Sequence, residues 1–181
     1  MIATGLVNDI AFRHLPMGRA RATVLAQFLF LALALIIPTL THRLGLNYLV
    51  AQPMHWMILF AGLSYGPVSG LLLGLGVPIA SFLVTGMPVP AMLPLMLPEL
   101  AAYGLLAGLL KPRLSAFGSV AVALVAGRLV FLALLALSGS LSGSPLGFAQ
   151  ATWLPGLPVM LMQICLLPVL TGLYVKWAGK E

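Results

Sequence analysis

Two ionisable side chains, Glu99 and Arg128, stand alone within long apolar stretches of this chain. Each lies deep inside a run that is otherwise free of charge. An ionised group left unpaired in hydrocarbon costs at least ~2.5–3.5 kcal/mol, so the two are expected to pair. That pair either locks two helices together or, if one or both groups face a cavity, holds a solute. In the second case Glu99 would meet a cationic part and Arg128 a carboxylate. His55 and Gln163 are further polar residues in apolar surroundings. A neutral imidazole can donate and accept, and the indole of adjacent Trp56 can stack on a flat ring. Each also has a purely structural reading, His55 as a satisfied bundle histidine and Gln163 as an amide bridging helices.

What the sequence omits narrows the chemistry further. It holds no Gly-rich phosphate loop, so ATP hydrolysis is not expected in this chain. No paired His or carboxylate pattern suggests a metal, and no Ser/His/Asp constellation is evident. The single Cys165 lies in an apolar run, which excludes an internal disulfide and a Cys-based metal cluster. The expectation is a protein that is not an enzyme and uses no cofactor or metal.

The elements that must position these residues follow from composition. Of 181 residues, 61% are hydrophobic and only 7% charged, whereas soluble domains carry about 25% charged residues. A span needs ~20 apolar residues, and the chain has room for about six. The fold class is therefore all-α: a polytopic bundle of six transmembrane helices, with residues 1–21 as a cytoplasmic amino-terminal segment and 22–178 as one membrane domain. The spans run near Ala22–Leu40, Leu46–Tyr65, Gly66–Val84, Ala91–Leu110, Gly118–Leu137 and Trp153–Val175. Pro53 is an alternative start for the second, with Gly45–Gln52 as a folded loop and possible lid. Glu99 then lies ~13 Å from the outer end of its helix and Arg128 at a similar depth, near the midplane. The first twenty residues carry Asp9, Arg13, His14 and Arg19 and do not read as a cleavable signal.

Charge distribution gives the orientation. Arg13, Arg19, Arg21, Lys111, Arg113, Lys176 and Lys180 fall on one side and only Arg43 on the other, which places both termini in the cytoplasm. Tyr48 and Trp153 near the outer ends, and Tyr174 and Trp177 near the inner end, suit interfacial belts. Gly66, Gly70 and Gly74 repeat at four-residue spacing, as do Gly104 and Gly108, and Ala22 and Ala26. Such stripes let helices approach closely, either inside the bundle or against a partner. Met92, Met96, Met160 and Met162 suit an adaptable apolar pocket or simple filler.

A family resemblance rests on several of these segments. Met54-His55-Trp56, Ala61-Gly62 and Tyr65-Gly66-Pro67-Val68-Ser69-Gly70 resemble the second and third helices of the substrate-binding S components of energy-coupling factor (ECF) transporters. Leu97-Pro98-Glu99 through Tyr103-Gly104 to Ala107-Gly108, then Ala126-Gly127-Arg128-Leu129-Val130, and Gly156-Leu157-Pro158 with Gln163 and Pro168 are similar in the same order. The resemblance covers roughly residues 20–178. It implies a prokaryotic plasma-membrane subunit that captures a vitamin or related micronutrient from outside. It also implies partners, a transmembrane coupling subunit and two cytosolic ATPases. Ala22 and Ala26 match the helix-one pattern that contacts the coupling subunit in that family. The substrate-binding candidates are His55, Trp56, Glu99, Arg128 and Gln163. The competing reading is a small six-span scaffold of a cell-shape or wall-synthesis complex.

Orientation is directly testable. A cysteine placed at Ser142 should be labelled from outside intact cells and one at Ser115 should not; the opposite pattern would reverse the topology.

Overall fold

The computed structural model of the chain describes residues 17–43, 52–138, 147 and 154–178. Its elements are α1 (Met17–Arg43), α2 (Pro53–Tyr65), α3 (Pro67–Thr85), α4 (Leu93–Leu110), α5 (Ala116–Leu137) and α6 (Leu157–Ala178), and no strand occurs among the described residues. Helix is the form expected of apolar sequence in lipid, because it satisfies its own backbone within one segment. Four helices, α3, α4, α5 and α6 over Leu157–Val175, are long and apolar enough to cross a membrane, and α1 holds a shorter apolar stretch at Val24–Ile37. The chain is thus an all-α membrane bundle of six helices. Gly45–Ala51, Tyr48, Trp153 and most of the Ser138–Ala149 loop lie outside the described residues.

Helix α2 departs from the span anticipated from Leu46. It has 13 residues, ~20 Å at 1.5 Å per residue, against a hydrocarbon core ~30 Å thick. Its start is set by Pro53, which has no N–H to donate and is tolerated in the first turn. Gln52 before it adopts a left-handed conformation (φ 42°, ψ 49°) and accepts the His55 N–H at its backbone carbonyl, 3.1 Å away. At the other end, Gly66 at φ 94° both ends α2 and begins α3. That positive φ costs glycine little and any other residue more. Lys111 then donates its Nζ to the Leu63 carbonyl at 2.7 Å, satisfying one of the carbonyls left open in the last turn of α2. At the start of α5, Ser115 caps the helix by accepting the Gly118 N–H at 3.1 Å.

The two glycine stripes meet each other. A methyl added at Gly70 would collide with the backbone of Gly104, one at Gly104 with the backbone of Gly70, and one at Gly74 with the Leu100 carbonyl. Gly108 lies equally close to Gly66 and Pro67, and Gly62 of α2 faces Gly104 as well. Helices α2, α3 and α4 therefore touch backbone to backbone, with α4 as the common partner. Around this seam the core closes with Ile58, Leu59, Leu63, Val77, Leu100, Val120, Leu124 and Leu167, all essentially buried. Helix α1 packs mainly on α2 and α3, and α6 mainly on α5 and α2. Many outward side chains, such as Leu72, Leu83, Leu129 and Leu161, are exposed and apolar, as a lipid-facing surface requires.

Substitution at this seam should be costly and local. Gly70→Ala and Gly104→Ala should each destabilise the bundle by ~1–3 kcal/mol, the usual cost of overpacking a filled contact. Gly76→Ala, which would meet no atom within 4 Å, should be neutral or slightly stabilising. Thermal unfolding in detergent or nanodiscs compares the three.

Candidate solute-binding site

Helices α2, α4, α5 and α6 close a ring, with α2 on α4, α4 on α5, α5 on α6 and α6 on α2. Each contributes one of the polar residues singled out in the sequence, and all four side chains are buried or nearly so. His55 is 8% exposed, Glu99 2% and Gln163 0%, while the Arg128 side chain is 13% exposed. Glu99 and Gln163 each lie six residues from the amino-terminal ends of their helices, ~9 Å. Glu99 is therefore nearer its helix end than the ~13 Å expected, in part because α4 begins at Leu93 rather than near Ala91. Arg128 is nine residues, ~13 Å, from the carboxy-terminal end of α5. The four residues thus lie towards the helix ends that the sequence reading places outside.

Glu99 and Arg128 pair directly. Arg128 Nη1 donates to Glu99 Oε1 at 2.8 Å. The same oxygen accepts the Tyr103 hydroxyl at 2.6 Å, a charge-assisted bond of the stronger kind. Tyr103 is the residue that sequence reading passed over. It lies one helical turn after Glu99, a spacing that puts two side chains on one face, and this was the available signal. Its ring, fully buried, packs against the backbone at Gly127, where any side chain would strike it. The ring also meets His55, with centroids 5.0 Å apart at 45°. Thus His55, Tyr103, Glu99 and Arg128 form a continuous train across α2, α4 and α5. The pairing holds Glu99 and Arg128 to each other through one carboxylate oxygen and one guanidinium nitrogen.

Several buried polar atoms find no hydrogen-bond partner among the described residues. Within the ring they are both ring nitrogens of His55, both amide atoms of Gln163, Oε1 of Gln52, the Ser64 hydroxyl and Nε of Arg128; outside it they are both amide atoms of Gln27 and the Ser69 hydroxyl. Such groups are unusual, since an orphaned buried donor or acceptor costs about 1–3 kcal/mol. Some hydroxyls elsewhere in the spans are satisfied locally, though those of Ser64 and Ser69 are not. Thr85 donates to the Ser81 carbonyl at 2.7 Å, Ser119 to Ser115 at 3.0 Å and Thr171 to Pro168 at 3.0 Å.

Other expected site residues fall elsewhere. Trp56 projects about 100° round the helix from His55 and is half-buried against the core. Of the methionines, Met160 is buried and Met96 partly so, but Met92 and Met162 are 36% and 52% exposed, so they do not line a common interior. Ala26 is half-buried, between the exposed Leu25 and Phe28; the side chain of Ala22 lies outside the described residues. A shallow cavity of about 430 Å³ lies on the outer flank of α5, lined by Ala121, Val122, Val125, Ala126 and Leu129. It is wholly apolar, and four of these five residues repeat at helical spacing along one face.

The Glu99–Arg128 contact is measurable as a coupling. Glu99→Gln and Arg128→Gln should each destabilise by ~3–5 kcal/mol, because each strands the other charge. The double substitution should recover much of that loss. Additive losses in a thermal-unfolding cycle would show that the pair does not form.

Set against known protein families, curated proteins and solved structures, the chain finds no match.

Proposed function

We propose that the chain is a membrane-embedded solute-capture subunit, the S component of an ECF-type importer, and not an enzyme. It would bind a vitamin or related micronutrient from outside a prokaryotic cell, with both termini in the cytoplasm, and rely on a coupling subunit and two cytosolic ATPases for energy. The observation that carries this reading is the set of orphaned polar atoms on His55 and Gln163 inside the α2–α4–α5–α6 ring. Hydrocarbon gives such atoms nothing to bond, and a bound solute supplies what they lack. With both termini in the cytoplasm, the helix ends nearest these residues would face outside, as capture requires. The scaffold reading relies on glycine stripes as assembly surfaces. Here Gly70, Gly74, Gly104 and Gly108 are consumed in contacts within the chain, which favours the capture reading.

Native mass spectrometry of the gently purified protein should reveal a bound small molecule. The purified chain should not hydrolyse ATP, and uptake in cells should require separate ATPase subunits. Concentrative uptake by the isolated chain in liposomes, driven by an ion gradient, would overturn the S-component assignment. Co-purification with wall-synthesis proteins and no solute would favour the scaffold.

A further inference from the structure

We infer that residues 79–97, the arms of α3 and α4 beyond their internal prolines together with the turn between them, form a hinged flap over the Glu99–Arg128 pair, and that its opening lets a solute reach that pair. The role in access rests on the capture reading; the motion itself does not. The hinge follows from where two prolines fall. Helices α3 and α4 touch backbone to backbone at Gly70 with Gly104 and at Gly74 with Leu100. Moving away from this seam towards the turn, α3 meets Pro78 one helical turn past Gly74, and α4 meets Pro98 just past Leu100. A proline inside a helix removes the hydrogen bond to the carbonyl four residues earlier, and helices bend there. Both arms are thus weakened at nearly the same level, just where the tight glycine contact ends.

Beyond the prolines the segment is knit to itself and held loosely to the rest. Thr85 donates to the Ser81 carbonyl at 2.7 Å, and the Met87 N–H donates to Thr85 Oγ1 at 3.2 Å. The Gly86 N–H reaches the Phe82 carbonyl at 2.9 Å and the Met92 N–H the Val89 carbonyl at 2.8 Å. Among the described residues, no side chain of the segment hydrogen-bonds to another helix. Ser81 and Leu95 are its only buried residues. Leu95 lies outside the main core, in a separate small cluster with Phe131 and Leu135 of α5, and Met96 packs at the edge of both clusters. This small cluster is the latch. Leu95 stands one turn before Glu99 on α4 and Phe131 one turn after Arg128 on α5, so the latch is stacked directly on the ion pair. Glu99 is 2% exposed, and contact between a solute and this buried pair requires a neighbouring element to move. The segment beyond the two prolines is the neighbour with the fewest ties.

Distances between spin labels, measured by pulsed electron resonance on the full-length protein in nanodiscs without added solute, test the motion. Cys165, which is exposed, is first replaced by Ala. One label sits at Leu137 on α5; the second sits at Leu83, beyond the hinge, or at Leu72, before it, all three positions being exposed. The 83–137 pair should show two separate distances and the 72–137 pair one. Leu95→Ala should raise the ratio of the second distance to the first by about tenfold or more, the effect of truncating a buried leucine. Leu135→Ala, on the other side of the latch, should act alike. Pro78→Ala and Pro98→Ala, which restore helix hydrogen bonds and leave the latch intact, should each lower the ratio. A single 83–137 distance in the parent and in both latch variants overturns the inference. So do two distances in the 72–137 pair, or proline substitutions that leave the ratio unchanged. Access is tested separately, by native mass spectra during dialysis. A co-purified molecule should leave Leu95→Ala about tenfold faster than the parent and leave Pro98→Ala more slowly. Equal rates defeat the flap as the route and leave capture standing, whereas no bound molecule together with no uptake defeats capture itself.

Discussion

The close approach of α3 and α4 at Gly70 and Gly104 is the contact on which the other arrangements turn. Water drives apolar surfaces together in soluble proteins, but lipid tails are as apolar as leucine, so helices in a bilayer gain little by burying leucine against leucine. They gain by approaching closely enough for backbone atoms to touch, and that requires residues without side chains. Glycines at positions 62, 70, 74, 104 and 108 provide this contact. Because α4 is held on two sides by the seam, its remaining face is fixed in rotation, and that face carries Glu99 and Tyr103 towards α5. Gly127 plays the same part across the α4–α5 boundary, where its missing side chain makes room for the Tyr103 ring.

A second aromatic group ties together the end of the bundle opposite His55. Phe30 of α1 meets Phe60 and Tyr65 of α2, with centroids 5.3 and 6.0 Å apart, and Phe60 and Tyr65 both meet Tyr174 of α6. The Tyr65 and Tyr174 hydroxyls are also hydrogen-bonded to each other. Helix α2 is thereby gripped at its lower end from two sides, although it is the shortest of the six. Its upper end carries His55 into the ring. The two ends of α2 thus differ: tightly packed rings near Tyr65, and at His55 a polar side chain with unmet hydrogen-bonding capacity.

Much of this was legible in the sequence, for physical reasons. Apolar length and Pro/Gly punctuation mark helices well in a membrane chain, because the bilayer permits few alternatives. The α3, α4 and α5 boundaries lie within a few residues of those read from sequence. Pairing of Glu99 with Arg128 was also legible, since two opposite charges at similar depth have few other remedies. The start of α2 was ambiguous because the residues before Pro53 are as apolar as those after it, and hydropathy does not register a missing N–H. Tyr103 was not singled out because tyrosine is common in bundles, and its role appears only when its hydroxyl is seen on Glu99 and its ring on His55. Trp56 was grouped with His55 because the two are adjacent in sequence, yet adjacent residues on a helix point apart.

The Glu99–Arg128 pair has an electrical consequence. A single charge carried across the membrane exchanges about 2.3 kcal/mol with the field for every 100 mV of potential. Two opposite charges 2.8 Å apart, moving as one unit, present almost no net charge to that field and only a short dipole. The two charges that α4 and α5 carry within their spans thus leave those helices nearly indifferent to membrane voltage. Any displacement of the two helices as one unit would then exchange little energy with the membrane potential.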